Sequence, residues 1–430
     1  MLKNMISDIS TIYSQALTLF PYWTDALLER WQHAYIDLIL RVANDPSSVP
    51  SIEIFYHDLM AFVSLLNDGH SRIYLPQKIK KRINYLPFKL EVIEEQLVIV
   101  ASLPEYHSYH FQPIKKINGR TAADFLHSLC THYWQSNTMY SLICFQNEPS
   151  FFLPDDSLLV EFENKELATF KWNNNQIQWD TPFNIPSTIV DKVIFSNKNL
   201  LIIHLPNTTI VKIKDFMSEQ VVEDFYQHLP YLQACQEIIF DIRGNAGGNS
   251  GHANEIAQAF FSDTIQTEKV YYQQFDAETY ANITQTLFHV PKDQLQNHEQ
   301  WNYLNHQFLI EKNEYDFYPK RKGLLKDKVV KILIDHLTYS SAENFAIIFD
   351  QSGRGLILGE TSAGSTGQPA LIKLKTGGTF MVTAKKVLHP NGHSHHNIGI
   401  MPKVTLKKKL SDKHTDQVLK KALELSIEKT

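Results

Sequence analysis

Four short apolar runs from residue 199 onward, NLLIIHL, EIIFDI, VVKILI and GLILG, constrain the fold of the chain more than any other feature. Each is bounded by turn residues, and helical stretches lie between several of them, the pattern of an α/β core that begins near residue 193. The 430 residues, 43% hydrophobic and 20% charged, suffice for a substantial core in two or three domains.

Ahead of that core the pattern changes twice. From Thr24, read as an N-cap, Leu28, Trp31, Tyr35, Leu38 and Val42 recur at steps of three and four, and Phe55, Leu59, Phe62 and Leu66 repeat the stripe. The second helix should stop at Asn67-Asp68-Gly69. LPFKLEVIEEQLVIVAS then alternates around an acidic turn, a β-hairpin, and PIKKINGRTAADFL gives a strand, an Asn118-Gly119 turn and a helix opened by Thr121. The expected division is a helical region over 1–78, a small β-rich module over 79–135, an irregular β-rich segment over 136–190, and a core over 191–430 with an insertion at about 264–325. A last helix should start near Thr415.

Charge and cysteine content exclude several classes. A net charge of −5 argues against a dedicated nucleic-acid surface, and the basic stretch Lys407–Lys409 is short enough to be a solvated strand end. Three widely spaced cysteines, Cys130, Cys144 and Cys235, lack metal-ligand spacing and suit a reducing compartment. The first thirty residues hold neither a signal h-region nor a span of ~20 apolar residues, so the expectation is a cytoplasmic protein with no membrane span.

Two stretches could carry chemistry. EIIFDIRGNAGGNSGHANEIAQAFF, residues 237–261, runs from strand through a Gly-rich turn to helix; it lacks both the Walker and the dinucleotide glycine spacings, and alone reads as a tight turn. KILIDHLTYSSAENFAIIFD, residues 331–350, places Ser340 and Ser341 at the first turn of an amphipathic helix. Either serine alone is an ordinary N-cap. The strand-turn-helix context holds a hydroxyl at the open end of a sheet beside unsatisfied N–H groups, which suits acyl transfer.

Taken in order, NDGHSRI, PIKKINGRTAADFL, DIRGNAGG, YSSAENFA, GETSAGSTGQP, GIMPKV and a closing DQVLKKAL helix resemble the C-terminal-processing (tail-specific) peptidase and tricorn-type serine protease family, almost end to end. The resemblance implies a multi-domain α/β fold with a crotonase-like core and a PDZ-like module over 79–135. It also implies a serine peptidase that forms an acyl-enzyme on Ser340, three residues before Glu343, with oxyanion donors from the Ser341 backbone and the Gly247-Gly248 pair. Gly364 stands where tail-specific peptidases carry a lysine, which points to the tricorn-like branch and to His70 as base. An acid that supports the base would stand at 396, where this chain has His396; Asp68, Ser71, Asp241 and Glu360 are the other candidates.

Two rivals follow from that departure. His389, His393, His395 and His396 could hold a transition metal, although without a carboxylate or Cys at ligand spacing they read as loop histidines. The chain could also be a catalytically weak or idle relative that binds a peptide or small ligand. The expectation is no cofactor, no metal and no nucleic acid, and a peptide or protein substrate, bound by its C-terminus if the module works as in the family. A homo-oligomer stays open.

Overall fold

The computed structural model describes residues 1–43, 50–155, 157–177, 179, 192–271, 314–315, 321–412 and 415–425. The expected insertion lies outside the described residues over 272–313 and 316–320. By contact the chain forms two units: one of Met1–Trp179, Tyr271–Ile310 and Gly367–Lys386, the other of Asp180–Val270, Glu311–Thr366 and Val387–Thr430. The fold is mixed α/β with N-terminal helices. Among the described residues no helix is long and apolar enough to cross a membrane.

The apolar runs of the second unit build one seven-stranded sheet whose neighbours follow chain order: β1 (Val193–Ser196), β2 (Leu200–His204), β3 (Thr208–Ile213), β4 (Glu237–Asp241), β5 (Val329–Ile334), β6 (Gly355–Gly359) and β7 (Val404–Thr405). β1, β2 and β3 are antiparallel, and β3 through β7 are parallel. Side chains alternate between two cores, as a period of two requires. Ile202, Ile238, Phe240, Ile332, Ile334 and Ile357 face the larger one with helices α1 (Gln220–Gln227), α2 (Ser250–Gln258) and α3 (Ser341–Gln351). Leu201, Ile239, Leu333 and Leu358 face the smaller one with α4 (Gln417–Glu424). Burial on both faces explains why these strands read as continuous apolar runs.

α3 is buried along its whole length from Ser341 to Phe349. Phe345 meets Phe240 edge-on at 5.0 Å, and each such ring contributes about 1.5–3 kcal/mol by burial. A helix buried all round must satisfy its own polar side chains, here Ser341, Glu343 and Asn344. That requirement shapes the site.

In the first unit, helices Leu2–Leu19, Asp25–Ala43 and Ile52–Ser64 pack through a Trp31–Phe62 stack at 3.9 Å. The Thr24 and Thr121 hydroxyls accept the Leu27 and Asp124 N–H groups, as N-caps do. Strands Phe88–Ile93 and Gln96–Ser102 form the expected hairpin, with Glu94 and Glu95 both at positive φ in the turn. Two expectations need correction. Residues 138–147 are helical, not irregular β: Asn137 accepts the Tyr140 N–H as an N-cap. After it, strands Ser157–Phe162 and Leu167–Lys171 join Ile114–Ile117 in one sheet, so the module begun before residue 135 is completed beyond it. Likewise strands Pro369–Lys373 and Thr379–Thr383, expected in the core, form one sheet with Arg72–Tyr74 in the first unit, with Thr379–Thr383 in the middle.

Candidate active site

Parallel β4, β5 and β6 are neighbours, so the turns that leave their carboxyl ends emerge side by side, the usual place for a site in such sheets. These turns are DIRGNAGG, DHLTYS and ETSAGST. Ser340 ends the middle one at φ 58°, ψ −123°, a conformation that costs a non-glycine residue about 1–3 kcal/mol and recurs at functional sites. It is half-buried and caps the N-terminus of α3.

Neighbouring groups hold that conformation. The Ser340 N–H points at Ser365 O (3.2 Å) and Glu343 Oε2 (3.3 Å). Glu343, buried, also accepts from the Ser362 hydroxyl (2.5 Å), Gly364 N–H (2.7 Å) and Ser365 N–H (3.0 Å). Burial outweighs those four donors and pushes its carboxyl up to about 7. One side chain thus ties the Ser340 turn to the ETSAGST turn. Gly364, at φ 83°, has no room for a side chain: a Cβ would lie 2.8 Å from the Gly399 nitrogen.

The Gly-rich turn packs directly against Ser340. A Cβ on Gly247, at φ 89°, would sit 2.7 Å from Ser340 Cβ and 2.9 Å from the Ser341 nitrogen, so only glycine permits this approach. The Gly247 N–H, expected to serve as an oxyanion donor, donates to Asn245 Oδ1 at 2.8 Å. Gly248 and Ser341 remain: their N–H groups have no partner among the described residues, and the Ser341 hydroxyl donates to Gly248 O at 2.8 Å. Asn245, fully buried, donates through Nδ2 to Ile213 O (3.0 Å) and accepts the Tyr339 N–H on its carbonyl (3.0 Å). It braces both turns, a role the sequence signalled only as an Asn inside a glycine run.

His70 belongs to the first unit, where it is buried in the turn after helix Ile52–Ser64. Asp68 Oδ2 accepts the His70 N–H (3.1 Å), the Ser71 hydroxyl (2.7 Å) and the Thr383 hydroxyl. Ser71 Oγ in turn accepts the Thr383 N–H at 3.2 Å. Asp68 and Ser71 thereby build the turn that carries His70.

The other candidates have other partners. Glu360 Oε2 meets His336 Nδ1 at 2.8 Å; burial alone would raise this carboxyl, yet the His336 bond carries it below the usual range. His336, in the turn just before Ser340, escaped the sequence reading. Asp241 holds Arg243 through both oxygens at 2.8 and 2.7 Å, and Arg243 reaches on to Asp416 at the start of α4. Burial opposes the Asp241 charge, but Arg243 and Lys212 keep its carboxyl well below the ordinary value. His396 is half-buried, its N–H on Ser394 Oγ at 3.2 Å and its Nδ1 3.3 Å from Asn397 Nδ2. Its loop docks on the ETSAGST turn through Asn397 N–H to Gly364 O (2.7 Å) and Ile400 N–H to Ser362 Oγ (2.7 Å). His395 is buried on the Thr366 hydroxyl at 2.7 Å, and burial pushes it down to about 3, so it stays neutral. Among the described residues no three His, Cys, Asp or Glu side chains converge to hold a metal ion, and all three cysteines are buried free thiols.

Against known proteins, residues 207–406 match the model of peptidase family S41. A structure of mature CPAF complexed with lactacystin aligns over 96% of this chain and 95% of that one, at 13% identity and a TM-score of 0.71. Mature CPAF alone aligns over 96% and 94%, at 12% identity and the same score of 0.71. A candidate peptidase from Parabacteroides merdae aligns over 98% and 95%, at 13% identity and a TM-score of 0.55. At such identities the likeness is one of fold.

Proposed function

We propose, for a chain whose residues 207–406 match the model of peptidase family S41, that it is a serine hydrolase of that family and cleaves peptide bonds through an acyl-enzyme on Ser340. The observation that carries this reading is Ser340 itself, held at positive φ between a strand and a buried helix, beside two N–H groups with no partner among the described residues. In the proposed reaction Ser340 Oγ attacks the scissile carbonyl carbon and His70 takes its proton. The Ser341 and Gly248 N–H groups donate to the tetrahedral oxyanion, a contribution of about 2.7–4 kcal/mol per donor. Collapse expels the amine, which takes the proton from His70. Water then gives a proton to His70, attacks the acyl carbon, and releases the acid and the Ser340 hydroxyl. No cofactor enters.

Glu343 is a positioning residue in this scheme, because it bonds the Ser340 backbone and the adjacent turn. A Ser-Lys dyad has no support: position 364 is a glycine without space for a side chain. Asp68 and Ser71 act through the turn they hold. We read the core as crotonase-like and the sheet that starts in residues 79–135 as a PDZ-like module, which would take a peptide end along a strand edge. A second reading, a ligand-binding relative with weak or no turnover, draws on His396, a half-buried imidazole where the family resemblance expects an acid.

Hydrolysis of a fluorogenic peptide library tests the choice. The peptidase reading expects cleavage that persists in strong chelator and vanishes in Ser340→Ala and His70→Ala, while His393→Ala changes little. Chelator-sensitive cleavage, or cleavage that survives Ser340→Ala, contradicts it, and a folded protein that cleaves nothing favours the binding reading.

A further inference from the structure

Gly248, one of the two proposed oxyanion donors, cannot hold itself in place. At φ 140° it has no room for a side chain, since a Cβ there would run into the Phe216 carbonyl, and a glycine backbone is the freest of all to turn. One side of the stretch is fixed: Gly247 O accepts the Phe216 N–H (2.8 Å) and Phe216 O accepts the Asn249 N–H (3.0 Å). In such a bridge the N–H and C=O of the middle residue face the opposite side. There the Ser341 hydroxyl donates to Gly248 O at 2.8 Å. The second grip on the donor is thus one hydroxyl, whose single proton is already committed to Gly248.

Ser341 Oγ is in turn held by side chains that the reaction scheme leaves unused. Ser250, half-buried as the first residue of α2, has its Oγ 3.1 Å from Ser341 Oγ. Asn344, buried three residues after Ser341 on the same face of α3, donates through Nδ2 to Ser250 Oγ (2.9 Å) and to Glu268 Oε1 (2.9 Å). Because the Ser341 proton lies on Gly248 O and the Asn344 amide nitrogen can only donate, the Ser250 proton lies on Ser341 Oγ. Every bond then runs the same way, from Asn344 through Ser250 and Ser341 to Gly248, and bonds so aligned strengthen one another. Glu268 sets the amide at the head of the chain the right way round, nitrogen toward Ser250. We propose that Ser250 and Asn344 are positioning residues of the oxyanion site, acting through the Ser341 hydroxyl on the Gly248 amide. The inference rests on Ser340 as nucleophile.

Steady-state hydrolysis of a peptide that the parent cleaves, together with the affinity of the matching peptidyl trifluoromethyl ketone, tests it in the full chain. The ketone takes Ser340 Oγ on its carbonyl carbon, the serine proton passes to His70, and the carbonyl oxygen becomes an oxyanion. Ser250→Ala should lower kcat about tenfold at unchanged KM and weaken the ketone by the same factor. The corresponding peptidyl alcohol, which forms no oxyanion, should bind as before. Ser250→Thr, which keeps the hydroxyl, should recover most of the loss, and Asn344→Asp, whose oxygen cannot donate to Ser250, should repeat it. An undiminished kcat in Ser250→Ala, equal weakening of ketone and alcohol, or a threonine variant as slow as the alanine one overturns the inference, whether or not Asn344→Asp folds. Those outcomes leave Ser340 in its role, since the parent still cleaves. A folded parent that neither cleaves nor takes a fluorophosphonate on Ser340 instead removes the peptidase reading, and this inference falls with it.

Discussion

Two buried carboxylates organise the two turns on which the proposed chemistry depends, and they do so over very different lengths of chain. Glu343 gathers its donors from Ser340, Ser362, Gly364 and Ser365, all within 22 residues of itself. Asp68 gathers two of its donors from its own turn and a third from Thr383, 315 residues away. The Ser340 geometry is therefore set by one continuous piece of the second unit. The His70 turn is set by strand pairing between the start and the end of the first. Nucleophile and base should accordingly fail separately when these hubs are disturbed.

The largest effect is expected at Ser340. Ser340→Ala should lower hydrolysis by about 10³-fold or more, the scale on which nucleophile removal acts. Ser340→Gly should be as inactive yet about 1 kcal/mol more stable in chemical denaturation, because glycine accepts φ 58° without strain. A Ser340→Gly variant less stable than Ser340→Ala would show that the turn stores no strain. Next comes Glu343→Gln, whose amide nitrogen would face N–H donors. We expect a loss of about 1–3 kcal/mol in stability and a ten- to hundredfold loss in kcat; a change in KM alone would remove Glu343 from the positioning role.

Thr383→Val separates the hubs. It should cost about 1–2 kcal/mol and lower kcat about tenfold, while Thr383→Ser, which keeps the hydroxyl, stays near the parent. Equal rates in the valine variant would mean that the His70 turn does not need its distant anchor.

A further effect concerns pH. Because the Glu343 carboxyl stands near 7 when folded and near 4.5 otherwise, the folded chain holds more protons between these values. Its contribution to stability is thus present at low pH, falls as pH rises from about 4.5 to about 7, and is level above. Denaturation at pH 5, 6, 7 and 8 should show this slope in the parent and its absence from Glu343→Gln. The smallest expected change is a severalfold gain in rate for His396→Glu, since a carboxylate there could stabilise the imidazolium of the base. No gain in a parent as fast as ordinary serine peptidases would mean that another group supports His70.

The sequence made the local half of this comparison readable. The β5-turn-α3 unit, the glycine turn beside it and the caps at Thr24 and Thr121 all follow from residue types a few positions apart. The long-range half was hidden. Nothing in GTFMVTAKK announces that Thr379–Thr383 pairs with Arg72–Tyr74, because strand partners in a single sequence leave no mark on each other. Helix Thr138–Asn147 was missed because its apolar residues carry little helical periodicity. Glu343 was legible as a motif residue but not as a hub, and His336–Glu360 joins residues from two turns that only the sheet register brings together.

The most direct test of the central claim is to react the folded protein with a fluorophosphonate and map the modified residue by peptide mass spectrometry. The account predicts a stoichiometric adduct on Ser340, absent from Ser340→Ala and slowed in His70→Ala. An adduct on Ser341 with Ser340→Ala still active, or no adduct on a well-folded chain, would contradict it.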